Sequence, residues 1–172
     1  TYADYAQLPE GAPYELIHGK LFMSPSPTPY HQIIQSTLQF ALTQFARQSE
    51  GGLVLSAPMD VYLDEHTTVQ PDLMLITEAQ RSILGEQHIE GAPTLIAEIL
   101  SPSTAGIDLS TKKRLYETHG VREYWTVDPE THAVEVHVNT EHGFDQHARV
   151  VESGTVSSAL LDGFAIDLED LF

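Results

Sequence analysis

Leu95-Ile96-Ala97-Glu98-Ile99-Leu100, closed by Ser101-Pro102, is the stretch on which the fold turns. Apart from Glu98 every side chain in it is apolar, without polar alternation, which predicts a short strand covered on both faces and central in its sheet. A carboxylate is out of place there, because an unpaired ionised acid costs several kcal/mol to bury even after the protein relaxes. An ion pair with a nearby Arg, or a hydrogen-bonded neutral acid, is the bland solution. Asp72 favours another. It opens a second apolar strand in Val69-Gln-Pro-Asp-Leu-Met-Leu-Ile76, directly after Pro71. If the two strands are adjacent, both carboxylates reach one sheet edge, where a hard divalent cation relieves their repulsion. Mg²⁺ or Mn²⁺ suits such an all-oxygen donor set.

Outward from these strands the chain alternates helix and strand signals. Tyr14 to His18 and Lys20 to Met23 flank Gly19 as a hairpin, and Ser24-Pro-Ser-Pro-Thr-Pro29 is a loop. Tyr30 to Gln48 carries apolar residues at Ile33, Ile34, Leu38, Ala41, Leu42, Phe45 and Ala46, an amphipathic helix ended by Gly51-Gly52. Leu53 to Ser56, Met59 to Leu63 and Leu73 to Ile76 are further strands, the latter two separated by a turn at Asp64 to Thr68. Beyond Glu98, Asp108 to His119 forms a helix closed by Gly120, and Glu123 to Val127 a strand stopped by Asp128-Pro129. Val134 to Val138 and Ala148 to Val151 pair across a turn at His142 to Asp145, and Phe164 to Phe172 is a last strand or helical turn. The class is α/β or α+β, in one domain spanning residues 1–172.

Charge narrows the function. The chain holds 25 Asp and Glu against 8 Lys and Arg, a formal charge of −17, which argues against a sequence-independent DNA coat held by counterion release. The absence of Cys removes disulfides, Cys-ligated zinc, iron-sulfur clusters and a thiol nucleophile, and leaves the cytoplasm as the expected home. No apolar run approaches the roughly 18 residues of a membrane span. No Gly-X-Ser-X-Gly and no Gly-rich phosphate loop is present. His132, His137, His142 and His147 recur every fifth residue, but that offset sends successive strand side chains to opposite faces, so solvated histidines are expected instead of a zinc site. Trp125 and Tyr124 are expected in the core. Any nucleic-acid function needs a local patch or a metal. Asp108, Lys112 and Tyr116, four apart, lie along one helix face, and Lys112, Lys113, Arg114 and Arg122 gather half of all basic residues just beyond the acids.

In the order and spacing of these words the chain resembles the Uma2 family of restriction-endonuclease-like proteins, a branch of the PD-(D/E)XK nuclease superfamily. The resemblance runs from Tyr14-Glu-Leu-Ile-His-Gly19 through His31, Val69-Gln-Pro-Asp72, Ala97-Glu-Ile-Leu-Ser-Pro-Ser-Thr104, Asp108, Lys112 and Tyr116 to Gly120-Val-Arg-Glu-Tyr-Trp-Thr-Val-Asp-Pro129. It implies a restriction-endonuclease-like core, a mixed central sheet flanked by helices, and metal-dependent hydrolysis of DNA phosphodiesters. Asp72 matches the first acid, Glu98 the second and Glu15 an additional one from the N-terminal segment. Where the superfamily's Glu-X-Lys places its lysine this chain has Leu100; Lys112 is the residue that aligns, with Lys113 about 100° round the helix as its alternative.

Phosphodiester hydrolysis needs an activated water and neutralisation of a doubly charged transition state. Asp72, Glu98 and the Ile99 carbonyl are the expected metal ligands; Lys112 orients water or offsets charge; Glu15 ligates a second metal or anchors Lys112. His31 and Tyr116 are expected to hydrogen-bond substrate. Ser101, Ser103 and Thr104 either position phosphate or cap the turn around Pro102. The rival expectation is a non-catalytic binding or assembly module, which the charge of −17 supports. A homodimer is expected on the grounds that two sites can address two strands and that hairpin edges such as Val134 to Val138 need cover.

Overall fold

The computed structural model describes residues 1–9, 11–48 and 52–172. Gly51, expected to end the long helix, lies outside them. A single turn, α1 (Tyr2–Tyr5), leads to strands β1 (Tyr14–Ile17) and β2 (Lys20–Met23). His18 and Gly19, at φ 50° and 75°, make the two-residue hairpin turn between them. The Pro-rich loop then enters α2 (Pro29–Gln48), followed by β3 (Gly52–Ser56), β4 (Val61–Asp64), β5 (Thr67–Val69) and β6 (Leu73–Thr77). A 3₁₀ segment (Glu78–Ile83) precedes β7 (Ile89–Glu90) and β8 (Leu95–Ile99). A π-helical segment (Ile107–Lys112) runs straight into α3 (Lys113–Thr118). The chain closes with β9 (Glu123–Asp128), β10 (Ala133–Thr140), β11 (Gly143–Val151), β12 (Thr155–Ser157), β13 (Ala165–Asp167) and α4 (Leu168–Leu171).

The class is mixed α+β. The central sheet has six strands in the order β11-β10-β9-β8-β6-β3, with β8 and β9 parallel and its other pairs antiparallel. It is not the sole large sheet: β2-β1-β5-β4-β7 form a second one of five strands, and β12 pairs with β13. The apolar run read as central is central, since β8 lies between β9 and β6.

Because strand side chains alternate, the central sheet feeds two cores. Leu73 and Leu75 of β6, Leu95, Ala97 and Ile99 of β8, and Trp125 and Val127 of β9 face one side, where Ile34, Leu38 and Leu42 of α2 cover them. Met74, Ile76, Ile96 and Tyr124 face the other, against Ile17, Val61 and Val69 of the second sheet and Leu115 and Tyr116 of α3. Glu98 shares the parity of Ile96, so its carboxyl is aimed into the layer between the central sheet, β1 and α3.

Several expectations are corrected. Thr67 and Thr68 belong to β5 and not to a turn; both are fully buried, and the β4–β5 connection is confined to Glu65 and His66. The helix expected over Asp108 to His119 is π-helical in its first half. Val134 to Val138 is no edge, because β10 is paired on both sides; the terminal strand there is β11. The tail forms both a strand and a helical turn.

Candidate active site

The antiparallel register of β6 and β8 sets Leu73 opposite Ala97, which puts Asp72, one residue before β6, opposite Glu98. The acids also bond to each other's backbone neighbourhood. The Ile99 amide donates to Asp72 Oδ2 at 2.8 Å, and the Asp72 amide donates to Glu98 Oε2 at 3.3 Å. Two apolar strands with an acid at one shared edge therefore converge as the sequence anticipates.

From the facing layer comes a lysine. Lys112 Nζ lies 2.9 Å from Glu15 Oε1, 3.1 Å from Glu98 Oε1 and 3.5 Å from Asp108 Oδ1. All four residues are buried. Tyr116, one turn further on, donates its hydroxyl to the same Glu98 Oε1 at 2.6 Å. The π-helical segment keeps Asp108 and Lys112 in reach of one another across one turn and aims both at β8; such segments recur at functional sites. Glu98 thus has two distinct oxygens, Oε1 held from behind by Lys112 and Tyr116, and Oε2 beside Asp72.

The site opens into a groove of about 800 Å³, lined by Glu15, Asp72, Glu98, Asp108 and Lys112 and by the loops at Ser24 to Thr28 and Ser101 to Thr104. Its entrance carries His31 of α2, whose Nε2 is 3.2 Å from Asp72 Oδ2. Burial of the imidazole opposes its charging, but the hydrogen bond and charge of Asp72 outweigh that, and its pKa is raised. Burial also dominates at Glu98: although Lys112 pulls the other way, desolvation together with the charges of Asp108, Asp72 and Glu15 pushes the carboxyl up to about 8. Lys112 loses solvation yet gains three carboxylates, so its pKa rises well above the ordinary lysine value and it stays charged.

The donor set suits a hard divalent cation. Asp72, the Oε2 side of Glu98 and the Ile99 carbonyl are oxygens on two neighbouring strands, and no Arg lines the groove among the described residues. Among the described residues no three His, Asp or Glu side chains converge there into a ready cage. That arrangement fits Mg²⁺, which keeps several waters and takes one or two carboxylates, better than an ion needing an all-protein shell.

Several expected site residues lie elsewhere in role. Tyr116 is fully buried behind Glu98 and does not face the groove, so it cannot hydrogen-bond substrate as expected. Lys113 does not line the groove; its charge adds to the burial that lowers the pKa of His137. Of the two roles open to Glu15, the geometry is that of an anchor: besides Lys112 it accepts from the Gln70 amide at 2.7 Å. Ser101 Oγ bonds Ser103 Oγ at 3.0 Å and Thr104 Oγ1 at 2.9 Å, a turn-capping cluster that still borders the groove. The basic patch does not form at the site. Lys112 alone of its four members lines the groove, and Arg122 sits at the far end of β9, beside Thr94. The four spaced histidines scatter: His132 stacks on Phe172, His137 is buried beside Glu135, His142 is exposed, and His147 lies in the bulge of β11.

A family described as "Putative restriction endonuclease", Uma2, matches residues 2–169. The chain belongs to the Uma2 family. A solved structure from Anabaena variabilis, described as a "putative nuclease" of DUF820, matches with a TM-score of 0.83 at 21% identity, over 100% of this chain and 97% of the other. At that identity the likeness shows the fold. No curated protein matches.

Sequence reasoning missed the clamp on Asp72 in this Uma2 chain. Gln35, buried on the apolar face of α2, donates to the Asp72 carbonyl at 3.0 Å, and Gln32 donates to Gln35 at 2.8 Å. The signal was a polar residue one position from Ile34 and three from Leu38, within a stripe that should be apolar.

Proposed function

We propose that this chain is a Mg²⁺- or Mn²⁺-dependent endonuclease hydrolysing DNA phosphodiester bonds. The observation that carries it is the register of Asp72 against Glu98 at a groove mouth, with a charged lysine buried behind them. Asp72, Glu98 and the Ile99 carbonyl would hold the cation, whose chemistry is to polarise a phosphoryl oxygen and acidify a water. The chain's own residues do the rest. Lys112 keeps Glu98 Oε1 turned inward, leaving Oε2 for the groove, and Glu15 and Asp108 fix the lysine. His31, its Nε2 3.2 Å from Asp72 Oδ2, presents its imidazole at the entrance. Ser101 and Ser103 offer neutral hydroxyls to a phosphate.

The rival is a non-catalytic binding module, favoured by the charge of −17. Thermal unfolding and plasmid cleavage with and without Mg²⁺ or Mn²⁺ separate the two. The nuclease reading expects metal to raise the melting temperature of wild type but not of Asp72→Ala, and cutting to require metal; neither effect would mean a binder. The reading also takes the working form as a cytoplasmic homodimer. Support comes from the absence of Cys and from β11, the outer strand of the central sheet, and sedimentation of the purified chain measures the dimer. No helix of the described residues is long and apolar enough to cross a membrane.

A further inference from the structure

The groove's charge and walls bear on what enters it. Of the chain's 8 Lys and Arg, Lys112 alone lines the groove among the described residues, and its charge is already spent on Glu15, Glu98 and Asp108. Arg81 and Arg149 are engaged by Glu78 and Glu135. Arg122 lies four strand positions away along β8 and β9, about 13 Å at the rise of a strand. A double helix presents a phosphate charge every ~1.7 Å of its axis, and proteins that track it do so with rows of cations. Among the described residues no such row lines this groove.

Between its acids and hydroxyls the groove wall is built largely of prolines. Pro13, Pro25, Pro27, Pro58, Pro102 and Pro129, six of the chain's 10 prolines, border it. Proline has almost no side-chain freedom to lose when a ligand packs against it. At the rim stands Tyr30, its hydroxyl donating to the Phe172 carbonyl at 3.1 Å, so that the ring is held in place while still exposed. A volume of about 800 Å³ is that of a small-molecule pocket and not of a duplex-wide cleft.

We infer that the groove takes a single nucleic-acid strand, as a free end or a displaced segment, gripped through its bases. The prolines and Tyr30 supply the base contacts, and the only phosphate engaged is the one at Asp72 and Glu98. This rests on the nuclease reading of the same site and specifies its substrate class.

The test is the salt dependence of kcat/KM in Mn²⁺ for a labelled single strand and for the blunt duplex of the same sequence. The single strand should be cut at least tenfold faster, with a log–log salt slope of about −1, the value for one or two phosphates on a single strand. A single RNA strand cut in place of DNA supports the same claim. A duplex cut as well as the single strand, or a slope steeper than about −4, overturns the inference while leaving a nuclease. Failure to cut any of them removes both. Tyr30→Ala should raise KM for the single strand about tenfold, the worth of one stacked base, whereas Tyr30→Phe keeps the ring and should not. Arg114→Ala and Arg122→Ala should change kcat/KM less than twofold; a tenfold loss at either would show that the strand tracks a charge path outside the groove.

Discussion

Lys112 has three carboxylate neighbours and almost no solvent, and each of them depends on its charge. Removing one partner of a buried ion pair costs about 3–5 kcal/mol, because the charges left behind have no compensation. Lys112→Ala is expected to lose that much in denaturant unfolding at neutral pH. Lys113→Ala, outside the cluster, should lose little; equal losses would mean that the lysine roles are misassigned. Glu98 makes an independent prediction. Its pKa, pushed up to about 8 chiefly by burial, exceeds that of the unfolded chain, so between about pH 4.5 and 8 the native state holds a proton that the unfolded state has released. Metal-free stability from this group is therefore complete at low pH and is lost as pH rises toward 8. The melting temperature of metal-free wild type should fall over that range more steeply than that of Glu98→Gln; parallel curves would contradict the assignment.

Among the elements, α2 does more than cover the core. Its Gln35 holds the Asp72 carbonyl, which also accepts from Ala57, while His31 one turn earlier meets the Asp72 carboxylate. Gln35→Leu should cost about 1 kcal/mol in stability, one hydrogen bond at a carbonyl that keeps another donor. It should also weaken Mn²⁺ binding measured by titration; an unchanged affinity would show that Asp72 is fixed without the helix. The pairing of β6 with β8 was legible because continuous apolar runs mark strands buried on both faces, and an acid within one has few physical explanations. β5 was not, since Thr67 and Thr68 look like turn residues, yet both are buried in a strand paired between β1 and β4. Nor was the meeting of Glu15 with Lys112, residues far apart in the chain that no local period connects; their link was inferred from the family pattern and not from physics.

Across the whole molecule, the negative charge and the placement of its cations set the terms for any partner. A chain carrying −17 repels itself, and screening by salt should raise the melting temperature of the metal-free protein between low and moderate NaCl; a fall would place the repulsion elsewhere. Glu15, Asp72, Glu98, Asp108 and Glu130 line the groove while no Arg among the described residues does, so a divalent cation is what most directly reconciles that groove with a phosphate. Sequence composition predicted the need for a local answer to the charge but put it in a basic patch, of which Lys112 alone lines the groove while Arg122 sits beside Thr94 at the far end of β9. Titration of Mn²⁺ into the purified protein by calorimetry at pH 8, beside Asp72→Asn, tests the central claim most directly. One site that releases part of a proton in wild type, and disappears in the variant, is the predicted result. Equal heats in both, or none in either, would show that Asp72 and Glu98 do not hold a metal together.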